Sequence, residues 1–505
     1  MQGKQIIKKY NPMKKLLISL VALLLTVSPA LAQNEMDALR YSQLFPGGTA
    51  RFNAMGGSFG ALGGDFSTLS INPAGLGIYR SSEFMISPVF NYSAVESSYF
   101  NTWEEDRKYN FNLNNVGVVF AFPVSGANNE GGWQFVNMGF GINRHNNFND
   151  RWIAEGFNPY SSKMASILQQ AQSQGSVDQL DPFSTELAWD TWLLGEEDDD
   201  FFVDMLHGVN QRQKTTTSGH IRELVLSMGA NYNDRLYLGA TVGFPSVSYE
   251  EESVFMEEDS EGHNEVFNSM TYANRLKTTG SGYNFKFGAI FRLTDMIRIG
   301  GAFHTPTFYE LTDRYSARME SDLNLDYDSN TASSPEGRFD YDLETPFKAI
   351  GSLGLVFGGS GAINIDYEYI DYTSARLRSG DYMFTDENRQ IRNAFTDQHN
   401  IRIGGEINLE PVILRGGYGY YSNPYRSGVN DATRHLISAG LGIRDRDYFI
   451  DFSYAYSFFS EDYHLYLLDS DDPADYQVPG SVWEPPVTSR DFSASTFRLT
   501  FGWRF

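Results

Sequence analysis

Phe497-Arg498-Leu499-Thr500-Phe501-Gly502-Trp503-Arg504-Phe505 closes the 505-residue chain. Phe497, Leu499, Phe501, Trp503 and Phe505 fall on one face of a strand and Arg498, Thr500, Gly502 and Arg504 on the other, because successive side chains of a strand point to opposite sides. A free, aromatic edge strand invites pairing with other chains. A strand that closes a barrel in lipid has no free edge and needs apolar residues on its outward face. Residues 497–505 therefore predict an all-β chain that forms a transmembrane antiparallel barrel.

The opposite end agrees. Lys8, Lys9, Lys14 and Lys15 precede an apolar run from Leu16 to Val27, and Ala30-Leu31-Ala32 supplies a small-x-small cleavage site, so residues 1–32 read as a secretory signal peptide. Elsewhere no run reaches the ~18 apolar residues of a membrane helix. A mean hydropathy of −0.37 then leaves a secreted soluble protein or a barrel whose membrane signal is hidden by alternation. The chain has no cysteine, which excludes disulfides, thiolate metal sites, a cysteine nucleophile and lipidation at an amino-terminal cysteine. Removal of the leader, with its five lysines, takes the formal charge from −24 to −29; an acidic surface of this kind repels nucleic acid. The 15% aromatic content fits the aromatic girdles of membrane barrels. The terminal strand itself resembles those of bacterial outer-membrane barrels, which points to the outer membrane of a Gram-negative cell.

Alternating segments continue from Glu83. Phe84, Ile86, Phe90 and Tyr92 share a face, as do Phe285, Phe287, Ala289 and Phe291; Ile401, Ile403, Gly405, Ile407 and Leu409 alternate with Arg402, Gly404, Glu406 and Asn408. Short connections (Ser125–Gly131, Asn233–Arg235, Thr294–Met296, Gly358–Gly361, Glu410–Pro411, Arg444–Asp447) alternate with long ones near Glu96–Tyr109, Asn147–Gly219, Glu250–Lys277, Thr312–Asp340, Thr373–Asp397, Asn423–Arg434 and Ser460–Ser493. The count is about fourteen strands, with short turns on the periplasmic side and long loops outside. Within the longest loop, Ser161–Gln174 and Phe183–Leu194 carry helical patterning. Their aromatics either collect greasy ligands or pack the loop on the rim.

Ahead of the first strand, residues 47–77 are dense in glycine and other small residues, without a Walker lysine or a strand–loop–helix context. In front of a barrel they read as a plug. Met55-Gly56-Gly57, Phe59, Ala61-Leu62, Asp65 and Asn72-Pro73-Ala74-Gly75-Leu76 stand in the order and spacing of the hatch of the outer-membrane long-chain fatty-acid and hydrocarbon transporters, and the segment resembles that FadL/TodX-like family. Residues 282–292 through 297–306 resemble its central hairpin. The resemblance implies a signal peptide (1–32), a hatch plugging the lumen (33–80) and a barrel with long extracellular loops (81–505). It implies passive uptake of long-chain fatty acids or similar hydrophobic molecules, gated by the hatch, with no enzyme activity and no cofactor. The partners expected are a hydrophobic small molecule or lipid and the outer-membrane lipids, not nucleic acid, around a monomer. A barrel serving as a structural or secretion-associated scaffold for other proteins is the alternative.

Candidate ligand-binding or gating residues follow. Asn72, Pro73 and Ala74 shape either a hinge or a rigid turn. Phe59, Phe66, Leu69 and Ile71 are expected to meet inward strand residues around an apolar cavity. Arg298, His304, Arg402, Arg415 and Arg498 point inward, where an anionic group would need them, but so do Asp366, Glu368, Glu406 and Asp451, and mutual ion pairs are the alternative. The apolar phase of the third strand slips between Phe135 and Val136, with Gly139 and Gly141 following, which reads as a kink or an ordinary bulge. The eight histidines are scattered without a His-Glu-x-x-His pair. Asp469-Ser470-Asp471-Asp472 matches no calcium loop, so no metal site is expected.

Overall fold

The computed structural model describes residues 35–45, 47–124, 132–198, 200–205, 207–324, 330–468 and 487–505. The signal peptide, the turn Ser125–Gly131 and the acidic run at Asp469 lie outside the described residues.

The alternating segments pair into one antiparallel wall: β1 (Glu83–Tyr99), β2 (Thr102–Pro123), β3 (Trp133–Asn147) with β4 (Asp150–Asn158), β5 (Val209–Tyr232), β6 (Leu236–Glu258), β7 (Phe267–Arg292), β8 (Ile297–His304) with β9 (Phe308–Leu323), β10 (Gly337–Glu344) with β11 (Lys348–Val356), β12 (Gly361–Asp371), β13 (Asp397–Leu409), β14 (Val412–Tyr421), β15 (Arg434–Arg444), β16 (Tyr448–His464) and β17 (Val487–Arg504). Three staves are broken in two, which makes fourteen. The terminal stretch closes the wall on the first strand, with Glu83 opposite Arg504 and Phe90 opposite Phe497. No described helix is long and apolar enough to cross a membrane.

The outward residues form an apolar belt. On β16, Tyr448, Ile450, Phe452, Tyr454, Tyr456 and Phe458 all face out and are exposed. Ten steps at about 3.4 Å and a tilt near 40° span roughly 26 Å, the height of a bilayer's hydrocarbon band. Rings cluster at its edges, including Phe90, Tyr109, Phe497 and Tyr454 at one and Trp133, Tyr232, Phe120 and Phe505 at the other.

Several stretches expected as long loops are strands that continue beyond the belt. Glu96–Tyr109 is a hairpin turning on Phe100 and Asn101, both in the left-handed region; Glu250–Lys277 is another, its strands running to Glu258 and from Phe267. Outside lipid the ladder persists while the outward side chains turn polar, so the alternation that marks a strand fades. Asn147–Gly219 folds over this extension. Helices α3 (Lys163–Gln174) and α4 (Thr185–Asp190), with Leu193 and Leu194 just after α4, pack Met164, Ile167, Leu168 and Leu187 into one apolar cluster with Phe255, Phe267 and Met319 of the wall. These loop residues form a cap with its own apolar core.

Candidate functional site

Residues 35–80 pass along the inner face of the wall as short helices, α1 (Glu35–Ser42) and α2 (Ala50–Ala54), and two tight 3₁₀ turns, Phe66–Ser70 and Pro73–Ile78. Small residues at 47–77 let this backbone lie against the wall, and the wall is cut away to receive it. Gly229, Gly239 and Gly288 are cross-strand neighbours on β5, β6 and β7. A Cβ at Gly239 would stand 2.2 Å from the Pro73 carbonyl, and one at Gly288 would stand 1.9 Å from Asn72 Oδ1. Gly404 and Gly417, paired across β13 and β14, receive Met55 in the same way.

Polar side chains of the wall satisfy the segment's backbone from many directions. The Ala50 amide donates to Thr500 Oγ1 at 2.7 Å, the Gly56 amide to Ser438 Oγ at 3.0 Å, and the Phe59 and Gly60 amides to Asp366 at 2.9 and 3.1 Å. Asn137 Nδ2 donates to the Leu76 and Tyr79 carbonyls. Arg51 forks onto Glu406, Nη2 to Oε1 at 2.6 Å and Nε to Oε2 at 3.0 Å. Burial opposes the Arg51 charge, but the Glu406 carboxylate holds the guanidinium above its ordinary value.

Asn72 caps the second 3₁₀ turn. Its Oδ1 accepts from the Ala74 amide at 3.1 Å, and its Nδ2 donates to the carbonyls of Gly60 at 2.6 Å and Ala289 at 3.3 Å, so Asn72 ties two parts of the segment to β7. Pro73 occupies the first position of that turn, where its missing N–H costs nothing. Phe66 and Leu69 are fully buried with Leu76, Val119 and Val225, and Phe59 and Ile71 with Phe52, Met55 and Ile350. These rings and aliphatics pack solidly: Phe66 fills the space above Gly117 and Gly141, and Leu69 that above Gly139. Gly139 and Gly141 therefore serve to seat the segment. The bends of the third stave lie elsewhere, in register shifts at Gln134 and His145 and in the break between β3 and β4.

Four of the five inward basic residues are engaged. Arg298 donates to the Leu62 carbonyl at 3.0 Å, His304 Nε2 meets the Ile71 carbonyl at 2.7 Å, Arg402 pairs with Glu368 at 3.3 Å, and Arg415 pairs with Glu406 at 3.1 Å and Asp451 at 2.6 Å. Arg498 is 6% exposed, and its Nε and Nη1 have no partner among the described residues. Gly56-Gly57-Ser58-Phe59-Gly60, which the motif reading overlooks, has the spacing of a nucleophile elbow. Ser58 Oγ bonds the Asn364 and Arg402 carbonyls at 3.0 and 3.1 Å, without an imidazole beside it among the described residues.

The wall's ladder is interrupted between β2 and β3. The ladder between β2 and β3 runs from Asn115 opposite Asn143 to Pro123 opposite Phe135 and stops. Beyond it β4 pairs only with β5, so Thr102–Asn114 of β2 has no ladder partner on that side among the described residues. Side chains alone bridge the gap: Arg151 to Asp106, with Nε to Oδ2 at 2.6 Å, and Lys108 Nζ to the Thr217 carbonyl at 2.6 Å. Behind the gap lies a cavity of about 310 Å³ whose lining includes Asn91, Asn112, Asn114, Arg144 to Phe148, Asp150, Arg434, Phe459 and Arg498. A recess of about 30 Å³, room for one water, sits beside Ile71, His304 and Glu223. Between the two stands the bulge residue His145, whose Nε2 meets Glu223 at 3.2 Å; Glu223 also accepts from Ser70 of the lumen segment. His145 escaped the sequence reading because a bulge breaks the alternation by which inward residues are recognised; Glu223 alternates regularly with Ile221 and Val225 and carries that signal.

No family model matches the chain, and no curated protein matches it. Among solved structures, a Pseudomonas aeruginosa FadL homologue superposes with a TM-score of 0.54 at 13% identity, over 92% of this chain and 100% of that one. The Pseudomonas putida toluene transporter TodX gives 0.52 at 12% identity over 92% and 100%, and the Ralstonia pickettii toluene transporter TbuX gives 0.50 at 14% over 91% and 98%. The chain thus has the fold of the FadL/TodX-like barrels, resembled in its hatch motif and matched here along nearly its whole length.

Proposed function

We propose that the protein is a channel of a Gram-negative outer membrane for passive uptake of hydrophobic small molecules, working as a monomer among the outer-membrane lipids. In this reading residues 1–32 are a leader, 33–80 a hatch and 81–505 the barrel. The observation that carries it is the interrupted ladder between β2 and β3, with a cavity directly behind the gap. At the level of the belt the gap spans Asn110–Asn114, where an unpaired strand edge is costly in lipid, and a wall closed only by side chains parts more readily than one closed by a ladder. A greasy molecule that reaches the cavity from outside could leave sideways into the bilayer without crossing a water-filled pore. The names of the structural neighbours, transporters of toluene and a FadL homologue, support a transporter and not an enzyme.

Asn72-Pro73-Ala74 is the proposed gate element, since Asn72 alone links two parts of the segment to β7. The test uses the folded protein in liposomes and entry of toluene. Cysteines at Asp106 and Arg151, in a chain that has none of its own, are joined by a short bis-maleimide. Toluene entry should fall severalfold on bridging relative to the same double-cysteine protein before the reagent is added, and the reagent should not lower it in either single-cysteine control. Asn72→Ala should alter entry per folded barrel. Equal entry with the gap bridged would overturn lateral passage, and equal entry for Asn72→Ala would reduce that residue to a turn cap.

A further inference from the structure

The cavity behind the gap has a charge that a neutral ligand does not require. Four arginines line it, Arg40, Arg144, Arg434 and Arg498, against one carboxylate, Asp150. Arg40 is paired with Asp37. Arg144 donates to Asn147 Oδ1 at 2.9 Å and to the Gly219 carbonyl at 3.0 Å. Asp150 accepts from Ser93. Arg434 lies between two rings, its guanidinium carbon 3.9 Å from the centroid of Phe45 and 4.0 Å from that of Phe459, and enters no ion pair among the described residues. Arg498 is buried; the nearby Asp65 carboxylate is taken by Thr49 Oγ1 and the Ser67 amide, and Arg498 Nε and Nη1 have no hydrogen-bond partner among the described residues.

A buried guanidinium whose N–H groups are unpartnered is unfavourable, and an anion is the group that relieves it, best as the two-oxygen fork of a carboxylate. The rest of the lining is divided. Phe45, Phe459, Phe492 and Tyr421 make one side of the lining aromatic, with Arg434 on one face of Phe459 and Phe492 stacked on the other at 4.6 Å. Asn91, Ser93, Asn112 and Ser457 supply hydrogen-bonding groups, and Asn112 Oδ1 is buried without a partner. An acyl chain laid along these amides would leave them unsatisfied. A flat ring carrying a hydroxyl or amino group would not.

We propose that the cavity binds a ring-bearing organic carboxylate with polar substituents, its carboxylate on Arg498 and its ring along the aromatic side that Phe45, Tyr421, Phe459 and Phe492 make. The inference rests on the uptake reading only in taking this cavity as the ligand site. It makes the ligand an amphiphilic acid and not a hydrocarbon or an extended acyl chain.

The test is calorimetric binding to the full-length, detergent-solubilised barrel, with 4-hydroxybenzoate as the probe and 4-hydroxybenzamide as its neutral counterpart of the same shape. The acid should bind at least tenfold more tightly. Arg498→Gln, in barrels that keep their heat-modifiable folded form, should erase that preference, and Arg498→Lys should restore part of it. Equal affinity of acid and amide in the unaltered protein, or binding of neither, overturns the proposal without recourse to any variant; so does a preference that survives Arg498→Gln. Entry of labelled 4-hydroxybenzoate and of toluene into liposomes, read as entry of either, reports separately. Entry without acid preference sinks the carboxylate site alone, and acid preference without entry sinks the uptake reading alone.

Discussion

Replacing Arg51 by Met should loosen the lumen segment and leave the wall intact. Arg51 carries the buried ion pair between the segment and the wall: two bonds to Glu406, at 2.6 and 3.0 Å, and a third to the Gly64 carbonyl at 2.9 Å. Breaking a buried pair costs about 3–5 kcal/mol, because one charge is left uncompensated. Two features favour the lower end. Glu406 keeps Arg415 at 3.1 Å, and the two side chains retain 11% and 15% of their exposure. A loss of about 3 kcal/mol is roughly a hundredfold rise in the open population, at ~1.4 kcal/mol per tenfold. Amide hydrogen exchange of the folded barrel reads this directly. The amides of Phe52 to Gly57 should exchange about a hundredfold faster, while those of β16 and β17, held by their own ladder, should not change. The reasoning fails if exchange at 52–57 rises less than threefold. It fails equally if the wall amides rise in step, since segment and wall would then open as one unit and the ion pair would not be a local fastening.

Gly239→Val should depress the yield of heat-modifiable barrel, since a Cβ there would meet the Pro73 carbonyl at 2.2 Å, and backbone cannot step aside as a side chain can. Gly351→Ala, where nothing lies within 4 Å, should assemble like the unaltered chain; equal yields of the two would refute the close-approach account. In the cap, burial pulls the Lys163 ammonium down to about 8 from its ordinary 10.5, against the nearby Glu257. The unfolded chain then binds the extra proton, so cap stability should rise as pH climbs from 8 to 10.5. Protection of the α3 amides, corrected for intrinsic exchange rate, should follow that rise and lose it in Lys163→Met; a flat profile in the unaltered protein would contradict the burial of the charge.

The closing stretch 497–505 and the alternation from Glu83 determined the architecture by themselves. Period-two alternation of greasy and polar residues has few solutions, and a lipid-facing barrel is the one that leaves no edge unpaired. The same alternation placed Arg298, His304, Arg402, Arg415 and Arg498 on the inner face. The small-residue run before Glu83 reads as a plug on the expectation that only small residues fit a crowded lumen. The tertiary structure decided what alternation cannot carry. It assigned partners to four of the five basic residues and left Arg498 without one, because pairing depends on which side chains meet across a lumen, at separations of hundreds of residues. It moved the bend of the third stave to His145 and the β3–β4 break, and gave Gly139 and Gly141 to the packing of Leu69 and Phe66. It turned expected loops into strands above the belt, where the ladder continues but lipid no longer selects the outward residues. The polar cavity behind the gap was also beyond sequence: its lining comes from α1, both sides of the gap and the far wall, groups that become neighbours only when the barrel closes.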